Sequence, residues 1–391
     1  MTRRFTDQLR TEIKVNARNW YADNWPFDEK GSEPVVELYP EFRRIAMRLR
    51  HNALTAFLSK LYRGHLRPLA REGVLFLFPA LIYERQVNRY ADIGYLYDLL
   101  ENDESRALLV KLFAYRIMGH KRVKLPRNAP EHDEYIKRIG ALPIVGPPVN
   151  ISFMNLTLEL RDLSPVGFAL RTYCTTGGGS YVFLQRQYEY HCRDVHCKAE
   201  PGDVVIDAGA CWGETSLYFA HEVGPTGRVV SFEFIPSNLE VLGKNVNANR
   251  DLADRITPIA KPLWSESDRT LYYVDWGPGS RVSFEKLRED FADTQCQTTT
   301  IDRVASELNL SRIDMIKMDI EGAELNALKG AERSIRQHQP KLAISLYHNI
   351  EDFSTIPRYL DSLKVPYKYY LDHHTIYENE TVLFAIPPRR A

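Results

Sequence analysis

The chain has 391 residues, enough for two domains or for one large α/β domain with an extension. Lys plus Arg and Asp plus Glu each number 51, so the formal net charge is zero, and no global field steers the protein toward nucleic acid or an anionic membrane. Apolar residues make up 44%, an ordinary supply for a globular core, and the longest strongly apolar run, residues 74–83, is about half of what crosses a bilayer, so no membrane span is expected.

The five cysteines, Cys174, Cys192, Cys197, Cys211 and Cys296, are odd in number and irregularly spaced, and no hydrophobic segment follows the basic N-terminus as a secretory signal would require. They read as the reduced thiols of a cytoplasmic protein. Residues 5–13 have the spacing of an amphipathic helix, and Trp20, Tyr21, Trp25 and Pro26 follow, aromatics that would dock on the body of the protein or on a second subunit. Residues 39–125 are helix-rich, with apolar positions at helical spacing in 42–49, 54–61 and 93–113; a new helix begins at Asp103-Glu104-Ser105 and is capped by Gly119. The prolines that cluster from Pro126 to Pro148 close this helical region, 1–148, whose helices offer a surface for self-association. A β-rich connecting segment is expected over 149–200. Residues 151–161 alternate like a half-buried strand, and Thr175-Thr176-Gly177-Gly178-Gly179-Ser180 reads as a mobile hairpin tip or substrate-side loop.

From about residue 182 strands alternate with helices, as a parallel sheet with crossover helices requires, and 201–391 is taken as one domain. Predicted strands are 204–208, 228–234, 256–260, 314–318, 341–346 and 381–385; predicted helices are 215–223, 237–249, 301–308, 322–330 and 354–364. The expected fold class is α/β, a doubly wound, mostly parallel sheet with a helical N-terminal extension.

Chemistry gathers at the ends of these strands. Asp207-Ala208-Gly209-Ala210-Cys211-Trp212-Gly213 joins the first to the helix opened by Thr215 and Ser216. Its glycines let a ligand lie against bare backbone beside a helix start with unpaired N–H groups. Asp207 has the wrong charge for a phosphate and suits a hydroxyl or an ammonium. The turn resembles the first motif of the class I methyltransferases that bind S-adenosylmethionine (SAM). One βα unit on, Glu233 stands where a ribose diol wants a carboxylate. After the third strand, Trp264 can stack on a purine and Ser265 can meet its exocyclic nitrogen, or Trp264 is core. Lys317 interrupts the apolar fourth strand, which ends in Asp319 and Glu321; a buried cation needs partners, and strand alternation puts Lys317 and Asp319 on one side, where they are expected to pair. The fifth strand delivers His348, a candidate general base whose unperturbed pKa lies near working pH. Asp319 and His348 holding a divalent ion is the lesser reading, and no metal site is assigned.

Together Asp207 to Ser216, Phe232-Glu233-Phe234, Ile316-Lys317-Met318-Asp319-Ile320-Glu321-Gly322-Ala323-Glu324, Leu328-Lys329-Gly330-Ala331-Glu332 and Ala343-Ile344-Ser345-Leu346-Tyr347-His348 resemble the FkbM family of SAM-dependent methyltransferases, over roughly residues 182–386. The resemblance implies a Rossmann-like class I methyltransferase fold and O-methylation of a hydroxyl. It places Asp207, Gly209, Gly213, Thr215 and Glu233 around SAM, and Asp319, Glu321 and His348 near the acceptor. On this reading His348, helped by Asp319, removes the proton, while Lys317 and Glu321 set local charge. The stretches Tyr97 to Arg106 and Lys121 to Pro126 are similar to the extension of bacterial members associated with surface-polysaccharide biosynthesis, which implies a sugar or glycan acceptor. Tyr188 belongs to a segment that matches the same subgroup and would close over the methionine end of SAM. The alternatives are a methyltransferase of a polyketide or another small natural product, and a non-catalytic SAM-binding or assembly protein. No Asn/Asp-Pro-Pro-Tyr tetrad of the nucleic-acid enzymes is present.

Overall fold

The structure is a computed structural model that describes residues 3–17, 19, 21, 79–127, 129–275, 277–280, 282–284 and 294–388. The helical stretches expected at 42–49 and 54–61, with Trp20, Trp25 and Pro26, lie outside the described residues. The chain forms two compact units, residues 1–94 with 110–125, and residues 95–109 with 126–391.

In the first unit the helix Arg3–Asn16 buries Phe5, Leu9 and Ile13, one stripe at intervals of four. Phe5 meets Phe113 edge-on, with ring centroids 5.7 Å apart, and Arg10 pairs with Glu84 of the helix Pro79–Arg89 at 2.9 Å.

The second unit is built on a seven-stranded sheet of β1 (Val204–Ala208), β2 (Arg228–Phe232), β3 (Ile256–Ile259), β4 (Met315–Met318), β5 (Lys341–Ser345), β6 (Lys368–His373) and β7 (Thr381–Ile386). Its order is β6-β7-β5-β4-β1-β2-β3. β1 to β5 run parallel, while β7 lies antiparallel to both β5 and β6. This is the doubly wound α/β sheet expected, in the Rossmann-like arrangement. β6 is the strand that pattern reading missed: Tyr369, Tyr370 and Leu371 are all buried, so the run does not alternate. The order reverses between β1 and β4, and at such a switch point the connections leave in opposite directions and open a crevice at the carboxyl ends of the strands. Helix α1 (Glu214–Glu222) follows β1 and α2 (Pro236–Asn247) follows β2; α3 (Glu324–Lys329) follows β4.

The segment 175–184 is not a hairpin tip. Thr176–Gly179 makes a helical turn that Thr175 caps, accepting the Gly178 N–H at 3.0 Å, and Ser180–Leu184 continues it with a π-type turn. The glycines serve close approach: a Cβ on Gly178 would stand 3.1 Å from a Glu214 carboxylate oxygen, and one on Gly179 would stand 3.1 Å from both Cys174 and Ile139. The five cysteines are unpaired, and among the described residues no helix is long and apolar enough to cross a membrane.

Candidate functional site

A cavity of about 280 Å³ opens at the carboxyl edge of the sheet. Most of its lining is the first few residues after a strand: Gly209 and Cys211 after β1, Glu233 to Ile235 after β2, Pro262 and Leu263 after β3, Asp319 to Glu321 after β4, Tyr347 after β5. Glu380, just before antiparallel β7, and the segment from Gly277 to Val282 add to it.

The glycine turn is held open from beneath. Asp207 is wholly buried; its Oδ2 accepts the Thr215 hydroxyl at 2.8 Å and the Ser216 hydroxyl at 2.7 Å, and its Oδ1 lies 3.1 Å from Lys317 Nζ. Lys317, 1% exposed, also donates to the carbonyls of Ala208 at 3.2 Å and Gly209 at 2.7 Å, and lies over the Tyr188 ring, 5.0 Å from its centroid. The expected pairing of Lys317 with Asp319 is therefore replaced by a pairing with Asp207. The reason is register: Lys317 stands directly opposite Asp207 across the parallel β1–β4 pair, whereas Asp319 lies two residues farther along its own strand, about 7 Å away. Asp207, Thr215 and Lys317 accordingly shape the turn from behind, and none of them lines the cavity.

Gly209 does line it. With φ +84°, a Cβ there would fall 1.8 Å from the Asp319 carbonyl oxygen, so this crossing of two strand ends admits only glycine. Gly213, φ +91°, turns into α1 against Leu242.

Glu233 faces the cavity nearly buried. Its Oε1 accepts the backbone N–H groups of Phe234 (2.7 Å) and Ile235 (2.8 Å), and Oε2 accepts from Asn238 at 3.2 Å. Burial outweighs these donors and the backbone N–H of Cys211, and pushes its carboxyl up to about 7. Ile235, Pro262, Leu263 and Val282 give this end of the cavity its apolar surface. Trp264 and Ser265 are not part of it: the Trp264 ring packs edge-on against Phe284 at 5.1 Å and the Trp264 backbone N–H donates to the Thr299 carbonyl, while Leu263 lines the cavity instead.

At the other end Asp319 accepts the hydroxyls of Tyr188 (2.7 Å) and Tyr347 (3.0 Å), and His348 Nε2 stands 3.3 Å away. Burial works against its charge, but His348, Lys317 and the two tyrosines leave the carboxyl below its usual value. Burial and the neighbouring carboxylate push both tyrosines well above theirs, so each remains a donor. Glu380 lies across the cavity, hydrogen-bonded by Gln187; burial and the Asp319 charge push it up to about 8.

His348 is nearly buried behind this wall. Nδ1 lies 2.9 Å from Glu324 Oε1, and Nε2 lies 3.7 Å from Glu321 Oε1 as well as near Asp319. Although burial opposes the charge, these three carboxylates push the imidazole up to about 9. The ring of the expected general base thus stands among three carboxylates behind the cavity wall and does not itself line the cavity. Glu324, which holds the ring, and Glu380 were not singled out from the sequence; Glu324 stands inside the motif around Asp319, while Glu380 sits in a polar turn that reads as solvent-facing.

Residues 196–369 match the family model described as the methyltransferase FkbM domain. The chain is 26% identical to the methyltransferase sdnD of Sordaria araneosa over 171 residues, 36% of this chain and 65% of that one. It is 27% identical to the AMB antimetabolite synthetase AmbE of Pseudomonas aeruginosa over 191 residues, 40% of this chain and 9% of that one. The chain thus spans less than two thirds of either curated relative. Among solved structures, a methyltransferase FkbM from Methylobacillus flagellatus aligns with TM-score 0.49 and 19% identity, covering 88% of this chain and 76% of that one. An Aeropyrum pernix fibrillarin with natively bound SAM aligns with TM-score 0.35 and 13% identity, covering 61% and 93%.

Proposed function

We propose that the chain is a SAM-dependent O-methyltransferase whose acceptor is a sugar hydroxyl of a surface polysaccharide or its precursor. The observation that carries this reading is the division of one cavity: a glycine turn, a buried acceptor carboxylate and an apolar wall at one end, and a cluster of carboxylates and tyrosines at the other. The first end fits a nucleoside bearing a charged side chain. Glu233 has capacity for the ribose hydroxyls, Ile235 and Leu263 suit the faces of adenine, and Gly209 leaves room for the methionine portion. SAM supplies an already reactive methyl group on a sulfonium, so alignment of the acceptor is the main demand left to the protein.

The second end would meet that demand. Asp319, fixed by Tyr188 and Tyr347, accepts the acceptor's O–H and orients its oxygen. Tyr347 and Glu321 offer further partners to a polyhydroxylated molecule. Glu380, across the cavity, is the carboxylate suited to take the proton, because burial and the Asp319 charge push its pKa up to about 8, near working pH. His348 stands behind Asp319 and helps hold it in place, and Lys317 acts on the turn from below. The unpaired cysteines suit the reducing cytoplasm, where SAM is made. The N-terminal helices are proposed as a self-association surface.

Transfer of labelled methyl from SAM to nucleotide-sugars and to isolated glycans tests the reading. Label in a sugar O-methyl ether is expected. Label only in small polyketide or peptide acceptors would replace the sugar by a natural product, and SAM binding without transfer to any acceptor would favour a non-catalytic binding protein.

A further inference from the structure

Behind the acceptor wall, Glu324 Oε2 and both ring nitrogens of His348 are buried without a hydrogen bond. Glu324 is wholly buried; its Oε1 accepts the Ile320 N–H at 2.8 Å and faces His348 Nδ1, but its Oε2 makes no hydrogen bond. The His348 side chain is 6% exposed, and its Nε2 makes no hydrogen bond although Asp319 Oδ1 and Glu321 Oε1 stand 3.3 Å and 3.7 Å away. A buried oxygen without a donor carries the desolvation cost of that group, and such orphans are uncommon singly. Here three stand in one cluster. One ligand atom from each of Asp319, Glu324 and His348 lies within 4.8 Å of the others, a spacing from which a single ion can draw three donors to about 2.0–2.2 Å with small side-chain movements. The backbone brings them together closely: a Cβ on Gly322 would stand 2.9 Å from the Asn349 side chain, so the loops after β4 and β5 pack with no residue larger than glycine between them.

We propose that Asp319, Glu324 and His348 bind a divalent cation, with open coordination positions directed at the acceptor oxygen. One imidazole with two carboxylates suits a borderline ion such as Mn²⁺, Co²⁺ or Zn²⁺, since Ca²⁺ and Mg²⁺ prefer oxygen donors alone. Bound beside Asp319, which lines the cavity, the ion would polarise the acceptor O–H and ease loss of its proton. This role rests on the methyltransferase reading; the site itself does not.

Mn²⁺ titrated into the full chain after dialysis against EDTA, and followed by the electron paramagnetic resonance of the free ion, tests it. The expected result is one Mn²⁺ per chain, with affinity at least about 10-fold weaker in both Glu324→Gln and His348→Gln. Far-UV circular dichroism and retained heat of SAM binding would show that the variants are folded. No binding at millimolar Mn²⁺, or binding unchanged in both folded variants, would overturn the site. Turnover that falls at least about 10-fold on stripping and returns with Mn²⁺ would support the Lewis-acid role, and undiminished turnover in the stripped protein would overturn it. If no acceptor is methylated under any condition while Mn²⁺ binds through Glu324 and His348, the methyltransferase reading fails and the metal site stands.

Discussion

Replacing Lys317 by Met separates a residue that builds the cleft from one that acts in it. Methionine matches the length of the lysine stem, so it leaves little cavity, but it removes the cation 3.1 Å from wholly buried Asp207. Breaking a buried pair by deleting one partner costs about 3–5 kcal/mol, because the other charge stays buried. Asp207 keeps its Thr215 and Ser216 donors, which moves the expectation toward the lower figure, while the Ala208 and Gly209 carbonyls lose their donor and move it up again. With a urea m-value of about 3 kcal/mol/M, the upper end for small proteins, the transition midpoint should fall by roughly 1–1.5 M at unchanged slope. Adding Asp207→Asn to Lys317→Met should recover part of the loss, since the two side chains form one interaction and their costs do not add. Equilibrium unfolding by urea of the two single variants and the double variant is the assay. A midpoint unchanged in Lys317→Met, together with a collapse of turnover in the folded protein, would refute this reasoning and return Lys317 to the reacting centre.

Other expectations follow from the same geometry. Gly209→Ala should fold poorly or not bind SAM: its Cβ meets the Asp319 carbonyl at 1.8 Å at φ +84°, and strain and overpacking together cost about 2–6 kcal/mol, readable as a fall in melting temperature. SAM affinity should depend on pH through Glu233. Its carboxyl is pushed up to about 7 in the free protein, and ribose hydroxyls stabilise the ionised form; binding therefore lowers the pKa, releases a proton, and tightens by up to about 10-fold as pH rises from 6 to 8 before levelling off. Calorimetry in buffers of differing ionisation heat reads the released proton, and a flat affinity from pH 6 to 8 would count against the assignment. Tyr347→Phe should lower kcat with little change in SAM affinity, because it removes one donor to Asp319 and nothing from the nucleoside end; an equal loss in both would contradict the division of the cavity.

Much of this architecture is legible in the chain before folding. Strands β1, β2, β4, β5 and β7 declare themselves as short apolar runs, and the acids and glycines at their ends mark the carboxyl edge as the place where polar residues are tolerated. Asp207, Gly209, Glu233, Asp319 and His348 are found that way. What escapes is whatever depends on register or on packing between distant segments. Alternation along β4 suggests Lys317 with Asp319, but the partner is set by which residue of β1 lies opposite. A histidine at a strand end gives no sign of the three carboxylates around it, because Asp319, Glu321 and Glu324 all follow a different strand, β4. The glycines of 177–179 read as a flexible tip because their neighbours Glu214, Cys174 and Ile139 are remote in sequence or hidden by local polarity. β6 and Glu380 belong to the antiparallel edge, and β6 lacks the alternation that marks a strand, since Tyr369, Tyr370 and Leu371 are all buried.

The central claim is that the cavity takes SAM with its ribose on Glu233, and isothermal titration calorimetry with SAM on the full chain and on Glu233→Gln tests it most directly. One site per wild-type chain is predicted, with affinity about 10–100-fold weaker in the variant, the worth of about 1.5–3 kcal/mol for hydrogen bonds to a charged acceptor. No heat of binding in the wild type, or binding indifferent to the loss of the Glu233 charge, would contradict it.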